Sequence, residues 1–269
     1  MPELPEVETI KNELAPSVIG RCISAITLLW EKVVREPEVS KFRHHLIGQE
    51  IKDIGRRGKY LILSLDKTFL VIHLKMTGSL LIRPSNEVDK YTRAIIHLDS
   101  GKAIHFRDPR KFGAMWLVDD LSLLEEKLGP EPLEERFTPE LLSERLLKHR
   151  APIKAVLTDQ SVIAGLGNMY ADEALYAARI HPLRVASSLS LDEIRRLYKS
   201  IRQVLLAAIE NKGASVNTYY RPGGEKGTAH FQFKVAHQGG KDCPTCGGKI
   251  ERIKVRERGT YFCPSCQTL

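Results

Sequence analysis

Four of the chain's five cysteines stand in two Cys-x-x-Cys pairs near its C-terminal end: Cys243 and Cys246, sixteen residues, then Cys263 and Cys266. Two thiolates separated by two residues reach one metal from a tight turn, and zinc takes four such ligands tetrahedrally. Pro244, Gly247 and Gly248 supply the first turn, and Pro264 repeats the pattern. Two redox pairs or four unmetallated thiols are the bland alternatives; in a reducing compartment the spacing favours metal. Four cysteines leave no coordination position open, so one structural zinc ion is expected rather than a catalytic one. Between the pairs, residues 249–255 and 260–262 read as short strands of a zinc-clipped hairpin. The hairpin carries Lys249, Arg252, Lys254, Arg256 and Arg258, a basic surface suited to phosphates. Gly259 predicts a tight turn with Arg258 at its tip. Cys22, alone at a predicted strand start, reads as a small buried hydrophobe.

A net charge of +8 and a pI near 9.2 point toward a polyanionic partner rather than a neutral ligand. Residues 201–269 hold 11 Lys/Arg against 5 Asp/Glu, so most of the excess lies in the last quarter, although a solvated basic face would look the same. The longest apolar runs, residues 69–72 and 204–209, are far too short to span a bilayer. The start lacks the basic and apolar regions of a secretion signal, so a cytoplasmic protein with no membrane partner is expected.

Apolar residues at Val7, Ile10, Leu14 and Val18 predict a helix over 5–19, stopped by Gly20. Eight short runs rich in branched residues follow, at 22–30, 51–54, 60–65, 70–74, 79–82, 94–98, 103–106 and 114–118. With few helices between them they predict an antiparallel β-sandwich or barrel. After Gly129-Pro130-Glu131-Pro132 the pattern turns helical, at 139–149, 153–159, 168–178 and 191–211. Residues 213–240 read as a long loop followed by one strand. The chain is thus α+β, with domains expected at 1–133, 134–230 and 231–269.

Two further motifs carry chemistry. In Ala164-Gly165-Leu166-Gly167-Asn168-Met169-Tyr170, two glycines allow a tight turn and Asn168 suits a helix N-cap, where free amides bind phosphate. On its own this also fits an ordinary helix–helix connection. The start, Met1-Pro2-Glu3-Leu4-Pro5-Glu6-Val7-Glu8-Thr9, places proline where the initiator methionine is commonly removed. Removal leaves a secondary amine; a free α-amine titrates near about 8, so part of it is neutral and nucleophilic at physiological pH. A plain helix start would also favour proline and glutamate.

Taken together, the start, the Gly-x-Gly-Asn-x-Tyr turn and the terminal four-cysteine hairpin resemble the formamidopyrimidine-DNA glycosylase family over residues 2–266. The resemblance implies an N-terminal β-sandwich with flanking helices, a helix–two-turn–helix domain and a zinc finger, binding damaged double-stranded DNA. It implies that Pro2 is the Schiff-base nucleophile toward C1′ and Glu3 the proton donor to the opening sugar. Lys59 matches a lysine acting in β-elimination, and Arg258 an arginine tied to δ-elimination and phosphate binding. Asn168 matches a phosphate ligand. Met76, Arg110 and Phe112 match the residues that fill the void behind an extruded base. Tyr91 and Arg150 complete the DNA-contacting set. Residues 215–230 correspond to the segment that closes over the flipped base.

Tyr91 stands where relatives often carry histidine, and Ala236-His237-Gln238 where they often carry Tyr-Gly-Arg; the side chain of Ala236 has no hydrogen bond to offer a phosphate. The implied activity is excision of oxidised purines with strand cleavage, by a monomer without a small-molecule cofactor, in the bacterial cytoplasm at the nucleoid. The competing readings are an endonuclease VIII-like enzyme for oxidised pyrimidines and a non-catalytic zinc-finger protein that binds damaged DNA. Leu4 and the Met76, Arg110, Phe112 set favour the purine branch, and Pro2, Glu3, Lys59 and Arg258 favour catalysis.

Overall fold

Helix α1 (Leu4–Val18) buries Val7, Ile10, Leu14 and Val18 completely, so one face of the helix is apolar throughout. Gly20, at φ +74°, takes the left-handed turn that ends it. In the computed structural model, which describes every residue except Asn217 and the side chain of Leu123, α1 belongs to the first of two compact units, Met1–Glu126 with Asn211–His230.

This unit is a sandwich of two sheets. One sheet holds β1 (Ile23–Leu28), β7 (Thr92–Leu98), β8 (Lys102–Arg107) and β6 (Ser79–Pro84), in that order. The other holds β2 (Val34–Glu36), β9 (Ala114–Val118), β5 (Phe69–His73), β4 (Tyr60–Leu65) and β3 (Ile51–Arg57). All pairs are antiparallel except β2 with β9. Ile26, Ile96 and Phe106 from the first sheet, and Leu61, Leu63, Ile72 and Met115 from the second, share one apolar core with α1. Helix α2 (Val39–Leu46) adds Phe42 and Leu46, one turn apart.

The eight expected strands are present. β2 and α2 are additional: three residues are too few for a period, and α2 has its two buried residues among lysine, arginine and histidine.

The second unit is Lys127–Glu210 with Phe231–Leu269. Its helices are α4 (Pro139–Leu147), α5 (Ile153–Leu157), α6 (Asn168–Ala178) and α7 (Leu191–Glu210), while α3 (Ser122–Lys127) spans the join to the first unit. The hairpin strands are β10 (Glu251–Val255) and β11 (Arg258–Phe262). Thr138 caps α4, its hydroxyl accepting from Leu141 N at 3.2 Å.

Helix α6 is buried nearly all round, including Asp172 and Glu173. Buried carboxylates require partners. Asp172 accepts from Lys154 Nζ at 2.5 Å and Tyr261 N at 3.1 Å. Glu173 accepts from the backbone N–H groups of Lys234, Val235 and Ala236 at 2.8–3.0 Å.

The compact units divide the chain differently from the expected 1–133, 134–230 and 231–269. The finger joins the helical region because α6 is tied to both 234–236 and β11. Residues 211–230 pack with the sandwich instead, where Ala214 N donates to Glu6 Oε1 at 2.7 Å. The strand expected within 213–240 is replaced by a 3₁₀ turn at Ala229–Gln232.

Candidate active site

Pro2 is buried beside an exposed Met1, and Glu3, only 2% exposed, is the N-cap of α1. The three early glutamates have separate tasks. Glu6, fully buried, accepts from Glu3 N at 2.7 Å through one oxygen and from Ala214 N through the other. Glu8 faces Lys11 and Arg56. Burial works to raise the Glu8 carboxyl, but hydrogen bonds and charge from Lys11 and Arg56 outweigh it and hold the group below its usual value.

Arg56 bonds Glu8 at 2.7 Å and the Gly58 carbonyl at 3.0 Å, so it ties α1 to the β3–β4 turn that carries Lys59. Gly58 has φ +56°, a conformation that favours glycine. Lys59 is buried.

His73 at the end of β5 was not marked by any sequence signal. Its Nδ1 accepts from Lys75 N at 2.9 Å and its ring meets Tyr60 edge-on at 4.5 Å. Burial, reinforced by the charges of Lys75 and Lys59, pushes its pKa down to about 3, so the ring stays neutral.

Met76, Arg110 and Phe112, predicted on sequence grounds to act together, do meet. The Arg110 guanidinium lies over the Phe112 ring at 4.6 Å and reaches Met76 Sδ at 3.2 Å. Met76 and Phe112 are 44% and 46% exposed, unusual for residues of this kind. Lys75 and Lys111, at φ +53° and +59°, make the tight turns beside them.

The support beneath is Asp108, 1% exposed. Its carboxylate accepts from Phe112 N and Gly113 N at 2.7 Å, from Arg110 N at 3.2 Å and from the Thr77 hydroxyl. One buried side chain therefore fixes both loops. Position 113 must be glycine, because a Cβ there would strike the Phe106 ring.

In the second unit Gly167, not Asn168, is the N-cap of α6. Asn168 is the first helical residue and donates from Nδ2 to the Gly259 carbonyl at 2.7 Å. Lys154, pinned by Asp172, also donates to the Asn168 carbonyl at 2.5 Å. The two-turn segment and the finger are thus cross-linked.

The hairpin turn lies at Arg256-Glu257, with φ +44° and +60°, and not at Gly259. Gly259 sits in β11 opposite Lys254, where a side chain would meet the Arg252 guanidinium at 3.1 Å. Arg258 is exposed at the start of β11 and lines an open pocket with Lys154, Thr158, Gln160 and Arg256. Arg150 is exposed between α4 and α5. The Tyr91 ring packs under Arg107 at 4.7 Å, and its backbone N donates to Asp89 at 2.7 Å. Ala236 is buried, and its N–H serves the Glu173 clamp.

The sulfurs of Cys243, Cys246, Cys263 and Cys266 lie within 4.8 Å of one another, with Cys243–Cys266 at 3.8 Å and Cys246–Cys263 at 3.5 Å. Zinc–sulfur bonds of about 2.3 Å in a tetrahedron set sulfurs about 3.8 Å apart, so the four residues fit one structural zinc. The Tyr176 hydroxyl of α6 meets Cys243 Sγ at 3.2 Å and Thr245 Oγ1 at 2.7 Å, an outer contact on a ligand.

Family models match residues 1–115 as the formamidopyrimidine-DNA glycosylase N-terminal domain, 128–220 as its H2TH domain and 240–269 as a zinc finger found in FPG and IleRS. The formamidopyrimidine-DNA glycosylase of Chloroflexus aurantiacus is 46% identical, over 99% of this chain and 98% of that protein. That of Pelotomaculum thermopropionicum is 44% identical, over 99% of each. Among solved structures, a Lactococcus lactis FPG mutant in complex with Fapy-dG-containing DNA superposes with a TM-score of 0.94 at 35% identity, covering all of both chains. The FPG protein of Thermus thermophilus gives 0.90 at 39% identity, over 99% of this chain and 98% of that one. The chain therefore belongs to the formamidopyrimidine-DNA glycosylase family and is a zinc-finger DNA glycosylase of base-excision repair.

Proposed function

We propose that the chain excises oxidised purines, 8-oxoguanine and formamidopyrimidines, from duplex DNA and then cleaves the strand by β,δ-elimination. The observation that carries this reading is the Met76, Arg110 and Phe112 cluster, held exposed on a buried Asp108. Two apolar side chains kept in water by a rigid support suit insertion into a base stack, with arginine free to bond the orphaned base.

Once Met1 is removed, the secondary amine of Pro2 attacks C1′ of the extruded nucleotide. The C1′–base bond breaks with its electrons on the base, while Glu3 protonates the ring oxygen and the sugar opens. The resulting iminium, N⁺=C1′, draws electrons from the C2′–H bond and so acidifies that proton. Loss of a C2′ proton forms the C2′–C3′ double bond and expels the 3′ phosphate, and loss of the C4′ proton then forms the C4′–C5′ double bond and expels the 5′ phosphate. Lys59, Asn168, Arg258, Tyr91 and Arg150 hold backbone phosphates, with Lys59 and Arg258 assisting the eliminations. Zinc shapes the finger and takes no part in bond breaking. The chain acts as a monomer in the bacterial cytoplasm, on the nucleoid.

The test is borohydride trapping on 8-oxoguanine duplex. The crosslinked peptide is expected to begin at Pro2, and a residue added before Pro2 should leave DNA binding intact while abolishing cleavage, because the nitrogen becomes an amide. A crosslink on Lys59, or full excision by extended protein, overturns the mechanism. Faster cleavage of thymine glycol than of either purine lesion overturns the substrate class.

A further inference from the structure

The 211–230 segment is fastened to the sandwich at several points. At its root, Ala214 N donates to Glu6 and Tyr219 enters the apolar core, while Gly227 N donates to Ser215 Oγ at 2.9 Å and closes the segment on itself. Further out, Ser79 Oγ donates to the Thr218 carbonyl at 3.3 Å and Ile82 N to the Pro222 carbonyl at 2.9 Å. At the tip, Arg221 grips Glu13 with a two-pronged fork, Nε to Oε1 at 2.9 Å and Nη2 to Oε1 at 2.6 Å, with Nε also 3.1 Å from Oε2.

Glu6 and Glu13 are seven residues apart on α1, two turns and about 10 Å along one face. The helix that follows directly on Pro2 and Glu3 therefore holds both the root and the tip of the segment. The two anchorages differ in kind. Glu6 is fully buried, whereas the Glu13 and Arg221 side chains keep 22% and 26% of their exposure. A single partly exposed ion pair adds modestly to global stability, but a bidentate guanidinium–carboxylate pair fixes direction strongly.

We propose that the Glu13–Arg221 fork is a latch that sets base selectivity, holding the tip of the segment against the helix that follows the nucleophile so that an extruded base meets it in a fixed place. Both are positioning residues, and the proposal rests on the excision reading above. A lesion base has something for the segment to contact. An abasic site has none. Loosening the latch must therefore slow base excision and spare strand cleavage at a preformed abasic site.

The experiment compares the full zinc-loaded chain with Glu13→Gln and with the double exchange of Glu13→Arg and Arg221→Glu. Single-turnover excision of 8-oxoguanine should fall about tenfold in Glu13→Gln, the scale of a small misplacement of reacting groups. Abasic cleavage should stay at the wild-type rate, amide exchange across 214–229 should quicken, and the double exchange should recover most of the lost excision. Equal loss on both substrates, loss on neither, or no recovery on exchange overturns the latch. A wild-type chain that excises neither purine lesion overturns the excision reading first and takes the latch with it.

Discussion

Asp108 shows how much one buried residue organises. Replacing it by Asn keeps its shape but turns an N–H₂ group toward N–H donors at 110, 112 and 113 that now bond a carboxylate. We expect Asp108→Asn to cost about 1–3 kcal/mol in urea unfolding, the range for a buried donor left unsatisfied. It should also blunt discrimination of the opposite base more than it weakens binding to undamaged duplex. His73 gives a second test. Its native pKa lies near 3, below the ordinary 6.5, so the unfolded chain takes up a proton first as pH falls. The stability it contributes is whole above pH 6.5 and is lost between there and about 3. Relative to His73→Asn, the wild type should lose about 2–3 kcal/mol between pH 6.5 and 4.5, at about 1.4 kcal/mol per unit. An equal pH profile for both proteins refutes this. Such residues were not legible in the sequence. Asp108 stands two residues before Arg110, but three of the four partners of its carboxylate are backbone amides, which have no letter of their own.

Strands 60–65 and 114–118 and helix 168–178 were legible to the residue, since each is a periodic run with clear breakers. The finger's turn was misplaced because glycine was expected at the tip, whereas Arg256 and Glu257 take the left-handed conformation and Gly259 makes room for Arg252. The same hairpin depends on its metal and on α6. Stripping zinc with a chelator should abolish the hairpin's protection from amide exchange while leaving the β-sandwich intact, because a closed four-thiolate site is part of the folding of a small module. Loss of protection in the sandwich as well would contradict this. Glu173→Gln removes a charged acceptor shared by three amides and should lower stability by about 1–3 kcal/mol, read from thermal unfolding of the zinc-loaded chain.

Across the whole molecule, the excess of positive charge predicts binding that weakens steeply with salt. Arg258→Ala should flatten the log–log slope by about 0.9 and weaken lesion and undamaged duplexes alike. An unchanged slope removes Arg258 from the phosphate set. The assembled state of Met76, Arg110 and Phe112 has a consequence for timing. Their mutual stacking and the bonds to Asp108 are contacts within the protein itself, so the conformational entropy of those loops is lost in folding. On the proposed excision reading, encounter with DNA requires little rearrangement of these loops, and the slow step of interrogation falls to the duplex, set by how readily a weakened base pair opens. A searching molecule of this kind lets the damage, rather than its own flexing, decide how long it pauses.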